Sequence, residues 1–307
     1  MRVFVTGVNG QLGHDVMNEL SARGRECIGS GSSPKYNGID DGSAAARARY
    51  AALDITNAEA VADILDIIRP DAIVHCASWT AVDLAEDEAN RDRVFAINAD
   101  GTRNLATAAK KYGSKLIYVS TDYVFDGSGD TPRLPDDTGF GPLNVYGRSK
   151  LDGEEAVREL VEKYYIVRTS WAFGLNGNNF IKNIIRASKT GNELRVVNDQ
   201  IGTPTYTKDL SVLLADMTES DRYGCYHATN EGGYISWYDL AVEIFRQCGI
   251  DTKLVPVSTA EYGLSKARRP LNSRLDCSKL AEEGFKPLPD WKDALTRYLK
   301  EEGYIDQ

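Results

Sequence analysis

Tyr146 and Lys150 stand four residues apart in "YGRSK", and Tyr262 and Lys266 stand four apart in "YGLSK". A tyrosine and a lysine at that spacing share one face of a helix. Such a pair suits carbonyl reduction: the phenol protonates the nascent alkoxide, and the ammonium lowers the phenol's pKa towards neutrality. With 16 tyrosines in the chain the spacing is expected by chance, so context must separate the two pairs. "YGRSK" opens a helical stretch, 146–162, one connection beyond "YVSTDYVF", where a strand carries Thr121 to the C-terminal edge of a sheet. Ligands of open α/β sheets bind at that edge. "YGLSK" lies late in the chain, outside any strand–helix alternation, and Pro270 soon stops a helix there. Tyr146 and Lys150 are therefore the expected catalytic pair, with Thr121 donating to the same oxygen. Tyr262 and Lys266 are left with ligand contact at most.

A second pattern supplies the hydride source. Gly7, Gly10 and Gly13 form G-x-x-G-x-x-G between the apolar run "RVFVTG" (2–7) and a helical stripe at Leu12, Val16 and Leu20. Glycines let the backbone turn tightly against a pyrophosphate, and the helix N-terminus offers free N–H groups. The alternative is a turn with glycine packing. About 20 positions on, where a carboxylate would select NAD, the chain reads "GSGSSPK" (29–35). With no carboxylate there and Lys35 nearby, the reading leans to NADPH over NADH. Asp54 is placed to accept from the adenine amino group, or else to serve as a turn or capping aspartate.

These residues need a frame. Apolar runs at 2–7, 26–29, 51–56, 71–77, 115–121 and 164–170 read as buried strands, with helices at 58–68 (capped by Asn57, closed by Pro70), 91–111 and 146–162. Residues 30–49 read as a loop or insertion. The alternation predicts an α/β fold, a Rossmann-like doubly wound parallel sheet over 1–170, to which later segments at about 195–230 are allowed to return. Helices at 178–188, 207–217, 236–248 and 291–301 fall in a smaller C-terminal mixed α/β substrate-binding domain, 171–307.

Composition narrows the function. The 307 residues are 42% apolar and 26% charged, ordinary for a soluble globular protein. The net charge of −9 argues against nucleic-acid binding, and no apolar run is long enough for a bilayer. The N-terminal run is too short for a secretory signal, so a cytoplasmic location is expected. Five scattered cysteines without a C-x-x-C pair and three dispersed histidines suggest neither disulfides nor a catalytic metal. "KARRP" (266–270), the densest basic cluster, reads as a solvated loop or a phosphate contact.

The glycine loop, "LDIT", "INADGT", "STDYVF" and "YGRSK" together resemble the extended short-chain dehydrogenase/reductase superfamily. More narrowly, "TAVDLAEDE" (80–88), "STDYVFDG" (120–127), "PLNVYGRSK" (142–150), "RTSWAFG" (168–174), "NDQIGTPT" (198–205) and "RRPLNSRLD" (268–276) resemble the dTDP-4-dehydrorhamnose reductases, over nearly the whole chain. That resemblance implies NAD(P)H-dependent reduction of a dTDP-linked 4-keto-6-deoxy sugar, the last step of dTDP-rhamnose synthesis. It implies Thr121, Tyr146 and Lys150 as the catalytic trio, with Asn98 supporting the lysine through water. It places the cofactor on Gly7, Asn9, Gly10, Gln11, Leu12, Gly13, Asp54, Ile55, Cys76, Ala77 and Ser78, besides Tyr146 and Lys150. The sugar falls to Val82, Asp122, Tyr123, Tyr146 and Trp171, and a diphosphate contact to Arg269. Packing is the plain alternative for Val82 and Trp171, and a turn for Asp122.

Two departures stand out. His75-Cys76-Ala77 replaces the family's frequent Asn-Ala-Ala, and Trp79 replaces its His or Tyr. Two other functions fit the same fold: a nucleotide-sugar dehydratase or epimerase, and a non-catalytic NADP-binding regulatory subunit like that of S-adenosylmethionine synthetase. The dehydratases place Asp-Glu where this chain has Asp122-Tyr123. The sequence does not fix the oligomeric state, a homodimer being among the assemblies it allows.

Overall fold

Val3, Phe4 and Val5 are fully buried in the computed structural model, which describes residues 1–191 and 193–306. An apolar run buried on both faces is what a parallel sheet covered by helices requires. β1 (Arg2–Thr6), β4 (Ala72–His75), β5 (Lys115–Thr121) and β6 (Tyr164–Thr169) meet that demand, β2 (Glu26–Gly31) does so in its middle, and β3 (Arg49–Ala52) is a half-exposed edge strand. With a further strand, Gly224–His227, they form one seven-stranded parallel sheet in the order β3-β2-β1-β4-β5-β6-(224–227). The order reverses beside β1, and at such a switch point a crevice opens outside the strands' carboxyl ends.

Alternate side chains feed the two faces. Val3, Val5 and Ile117 join Val16 and Leu20 of α1 (Gln11–Ala22), while Phe4, Ile73 and Leu116 join Leu65 and Leu105 from the other side. Each such side chain stabilises the fold by about 1.5–3 kcal/mol when buried. The second layer comprises α3 (Ala58–Ile68), α6 (Gly101–Tyr112) and α7 (Val145–Leu160), with short helices α4 (Val82–Ala85) and α5 (Glu88–Phe95) leading into it, whereas the short α2 (Ala44–Arg47) packs on the α1 side through Ala45. Asn57 caps α3 by accepting from the Ala60 N–H. At α7 the Asn144 side chain accepts from the Gly147 N–H, and Glu86 accepts from the Val145 N–H at 2.7 Å. These two caps fix where the Tyr146 helix begins.

The rest of the chain builds a second cluster, with Phe173, Leu240, Phe245, Leu295 and Tyr298 at its centre. It is made by α8 (Phe180–Ser188), α10 (Trp237–Cys248), the helix Trp291–Glu301 and a parallel strand pair, Glu193–Val197 with Lys253–Val257. Between α8 and α10 the chain returns to the sheet. α9 (Thr207–Glu219) lays Leu210, Leu213 and Met217 against Val16, Met17 and Leu20, and Gly224–His227 then pairs with β6. No helix among the described residues is long and apolar enough to cross a membrane.

That return creates a buried acid. Asp15 on α1 is 7% exposed, and burial pushes its carboxyl up from 3.8 to about 6. The Thr207 hydroxyl lies 2.5 Å from Asp15 Oδ2 and 3.1 Å from the Phe173 carbonyl oxygen. A hydroxyl has one proton for two acceptors, so both contacts are hydrogen bonds only when Asp15 carries its own. Between pH 3.8 and about 6 the folded chain keeps a proton that the unfolded chain has released. This contribution is therefore full below the unfolded pKa and lost as pH rises through about 6, a change of about 3 kcal/mol. Asp15→Asn, which keeps a donor there, should remove this component from a denaturant-measured stability profile. An unchanged profile would show that folding does not raise the Asp15 pKa.

The α/β alternation and the doubly wound sheet are as the sequence reading has them, with local differences. The third strand is 49–52 rather than 51–56, because the chain turns at Asp54, whose Oδ1 accepts from the Thr56 N–H and hydroxyl. β4 ends at His75, short of 77. Residues 30–49 carry the end of β2, α2 and the start of β3. They pack through Tyr36, whose hydroxyl meets His14 Nδ1 at 2.8 Å. The helix expected at 91–111 starts at Glu88 and contains a π turn, Ala96–Asp100.

Candidate active site

The glycine loop is shaped by contact. Gly7 has φ +72°, and a Cβ there would lie 2.6 Å from the Ala77 nitrogen; at Gly13 it would lie 2.3 Å from the Gly7 carbonyl oxygen. No other residue fits both positions. Gly10 is the N-cap of α1, which has no side-chain cap and no acid in its first turn. The helix's first N–H groups therefore remain free for an anion. Asn9 and Gln11 use their side chains elsewhere. Asn9 accepts from the Asn37 N–H and donates to Tyr50, and Gln11 accepts from the Gly174 N–H at 2.8 Å. Their backbones, with Leu12, line a cleft of about 820 Å³. Across it lie Asp54 and Ile55, and beside β4 lie Cys76, Ala77 and Ser78. Burial pushes the Cys76 thiol up to about 12.

A dinucleotide fits this donor set. At the end of β2 the cleft is lined by Ser30, Gly31 and Ser32, with no carboxylate among them. The Ser30 hydroxyl is buried without a hydrogen-bond partner among the described residues. A buried polar atom of that kind is what a bound ligand would satisfy.

Thr121, Tyr146 and Lys150 line the same cleft. Thr121 ends β5, and its oxygen accepts from the Tyr123 N–H while its hydroxyl donates to Asp122 at 3.1 Å. Tyr146 and Lys150 lie one turn apart on α7. Lys150 is 2% exposed, donates to the Val119 carbonyl at 2.7 Å and sits 4.1 Å from the centre of the Tyr118 ring. Burial pulls its ammonium down from 10.5 to about 7. The Tyr146 phenol, by contrast, is pushed up by burial, opposed in part by a hydrogen bond with Thr121. The sequence reading has Lys150 lowering the phenol; here burial dominates, with Asp122 and Tyr123 adding to the rise. A raised phenol stays protonated at neutral pH, the form a donor needs.

Asn98 does not line the cleft. Its Nδ2 donates to Ser149 Oγ at 2.9 Å and to the Trp79 carbonyl; its Oδ1 accepts from Ser78 Oγ and the Trp79 N–H. Its side chain therefore ties the segment after β4 to the residue before Lys150.

Val82, Asp122, Tyr123 and Trp171, which the family resemblance assigns to a sugar, line the same cleft. Tyr123 meets the Tyr146 ring edge-on at 5.8 Å. Burial pushes Asp122 up to about 6, and its Oδ2 lacks a hydrogen-bond partner among the described residues. Arg269 stands behind this wall, donating to Asp83 at 2.6 Å and to the Tyr123 hydroxyl at 3.2 Å. Tyr262 ends a short helix, Thr259–Tyr262, that Gly263 breaks at φ +61°, and Lys266 pairs with Asp87. That second tyrosine and lysine share no helix face.

Several cleft residues escaped the motif reading. Trp237 stacks on Trp171 at 3.9 Å and 18°, and Trp171 itself adopts φ +49°, unusual for a bulky residue. Asn176 donates to the carbonyls of Asn9 and Gly10, both at 3.1 Å, bracing the glycine loop from the far side of the crevice. Neither signal is local in sequence: each contact joins segments more than 60 residues apart.

Sheet order, glycine loop and a tyrosine–lysine helix on one cleft define the class: an NAD(P)H-dependent oxidoreductase on a Rossmann-like fold. Within it, the chain belongs to the RmlD substrate binding domain family, whose model matches residues 1–303. It is 39% identical to the dTDP-4-dehydrorhamnose reductase of Escherichia coli (strain K12), over 98% of each chain. Among solved structures it is similar to a dTDP-4-dehydrorhamnose reductase from Clostridium acetobutylicum ATCC 824, with TM-score 0.88 and 39% identity over 99% of this chain and 100% of that one. It is likewise similar to the Bacillus anthracis str. Ames dTDP-4-dehydrorhamnose reductase in complex with NADP, with TM-score 0.86 and 40% identity over 98% and 99%.

Proposed function

We propose that this chain reduces the C4 keto group of dTDP-4-dehydro-L-rhamnose to give dTDP-L-rhamnose, with Thr121, Tyr146 and Lys150 as its catalytic residues. The observation that carries the reading is that these three side chains and the glycine loop line one cleft. NAD(P)H, when bound, supplies the hydride. The loop from Gly7 to Gly13 and the start of α1 would hold its pyrophosphate, and the Ser30–Ser32 end of β2 its adenosine ribose. Tyr146 donates its proton to the C4 oxygen as negative charge develops there. Thr121 steadies that oxygen by a hydrogen bond, and Lys150 holds positive charge beneath the phenol. Val82, Asp122, Tyr123 and the stacked Trp171 bound the sugar's space, and Arg269 backs the tyrosine wall.

The purified protein should oxidise NADPH only when the keto sugar is present, one NADPH per sugar, and release dTDP-L-rhamnose. A redox-neutral product, an epimer or a dehydrated sugar with no net NADPH use, would replace the reading by its nearest rival.

A further inference from the structure

We infer that His75 is a positioning residue for this reaction: a neutral imidazole, protonated on Nε2, that couples the phosphate-loop strand to the catalytic helix through one directed chain of hydrogen bonds. The functional part of this inference rests on the reductase reading above; the structural part does not.

His75 closes β4 and is 1% exposed. Its Nδ1 lies 2.7 Å from Thr6 Oγ1 and its Nε2 lies 3.0 Å from Thr102 Oγ1. The proton positions follow from counting. The Thr102 hydroxyl gives its single proton to the Asn98 carbonyl oxygen at 2.7 Å. It can then only accept from His75, so Nε2 carries the imidazole proton. Nδ1 is left bare and accepts the hydroxyl proton of Thr6. The Thr6 oxygen in turn accepts from the Ala77 N–H at 3.2 Å. Every donor in the chain from Ala77 through Thr6, His75 and Thr102 to Asn98 points the same way. Burial and the nearby Lys150 charge hold the imidazole down to about 3, so it stays neutral at working pH.

Both ends of the chain touch the chemistry. Ala77 is the backbone against which Gly7 is pressed. Asn98 binds Ser149, whose hydroxyl donates to the Tyr146 carbonyl oxygen at 2.8 Å. A shift of the glycine loop is thereby transmitted to the helix that aims the phenol. Displacements of about 1 Å at such a site cost roughly 100-fold in rate.

Two measurements test this. Nitrogen-15 spectra of the ligand-free protein should show one histidine, assigned by its loss in His75→Phe, with the proton on Nε2 and no titration between about pH 5 and 8. Protonation on Nδ1, or a free-imidazole titration, would overturn the inference whatever the substrate proves to be. In turnover, His75→Phe and Thr102→Val should each lower kcat roughly 10- to 100-fold with the NADPH KM little changed. The double variant should be no worse than the stronger single one, since both break one chain. His75→Gln, which keeps a donor and an acceptor, should recover most of the loss. Full kcat in a folded His75→Phe, additive losses, or equal damage from Gln and Phe would each reject the coupling. No turnover of the keto sugar by the parent enzyme would reject the reductase reading instead, leaving the spectroscopic result standing.

Discussion

Tyr146→Phe should lower kcat by roughly 10²–10⁴-fold while leaving NADPH binding and the fold intact. The substitution removes one oxygen from a half-buried ring that packs edge-on against Tyr123, so the ring contacts survive. What is lost is the proton donor. Thr121 and Lys150, which line the same cleft, are poor substitutes: a threonine hydroxyl can hydrogen-bond the oxygen but is too weak an acid to give up its proton, and Lys150 is held to the Val119 carbonyl. The loss should therefore appear in kcat, with the cofactor's affinity, measured by fluorescence titration, near that of the parent. A variant that turns over within about tenfold of the parent would remove Tyr146 from the chemistry.

The second large effect concerns what stands behind the trio. Glu154 on α7 and Arg168 on β6 are both completely buried. Glu154 Oε1 accepts from Arg168 Nε at 2.8 Å and from Ser120 at 2.6 Å; Oε2 accepts from Arg168 Nη2 and Arg158 Nη2. The guanidinium carbon also lies 4.9 Å from the Phe125 ring centre and 5.1 Å from that of Phe140. Burial pushes the carboxyl up, but Arg168, Arg158 and Ser120 together hold it below its usual range. Glu154→Gln leaves a buried cation without its counter-charge and should cost about 3–5 kcal/mol in a denaturant titration. Replacing both partners, Glu154→Leu with Arg168→Met, should cost less than the single change, since no charge is then stranded. A single variant within about 1 kcal/mol of the parent would show that the cation finds another partner or water. Because Ser120 precedes Thr121, loss of this pair should also reach the active site.

How far the sequence spoke depends on the range of the interaction. Local signals were readable. Val3-Phe4-Val5 announces a two-faced buried strand, Asn57 caps a helix through its own neighbour's backbone, and Gly7, Gly10 and Gly13 mark a turn that their contacts demand. The contrast between the two tyrosine–lysine pairs was also readable, since the second lies outside the strand–helix alternation and Pro270 follows it closely. Long-range arrangements were not. Nothing in "ISWYDL" says that Trp237 will lie on Trp171, and nothing near Asn176 says that its amide will reach the carbonyls of Asn9 and Gly10. The π turn at 96–100 was hidden for another reason: one inserted residue shifts a helical stripe too little to show in a short polar stretch. The strand 49–52, "RYAA", was displaced because its few apolar residues are only partly buried and its neighbour "LDIT" is more apolar.

The excursion of α9 and the strand Gly224–His227 back onto the sheet limits how such a protein is assembled from parts. A chain ended at residue 170 would bare the flank of α1 that Leu213 and Met217 cover, and would leave β6 as an open edge able to recruit foreign strands. The sheet-bearing part and the part after residue 170 are thus not interchangeable cassettes. A graft meant to redirect sugar choice must take two separate pieces, before 207 and after 227, and leave the stitch between them in place.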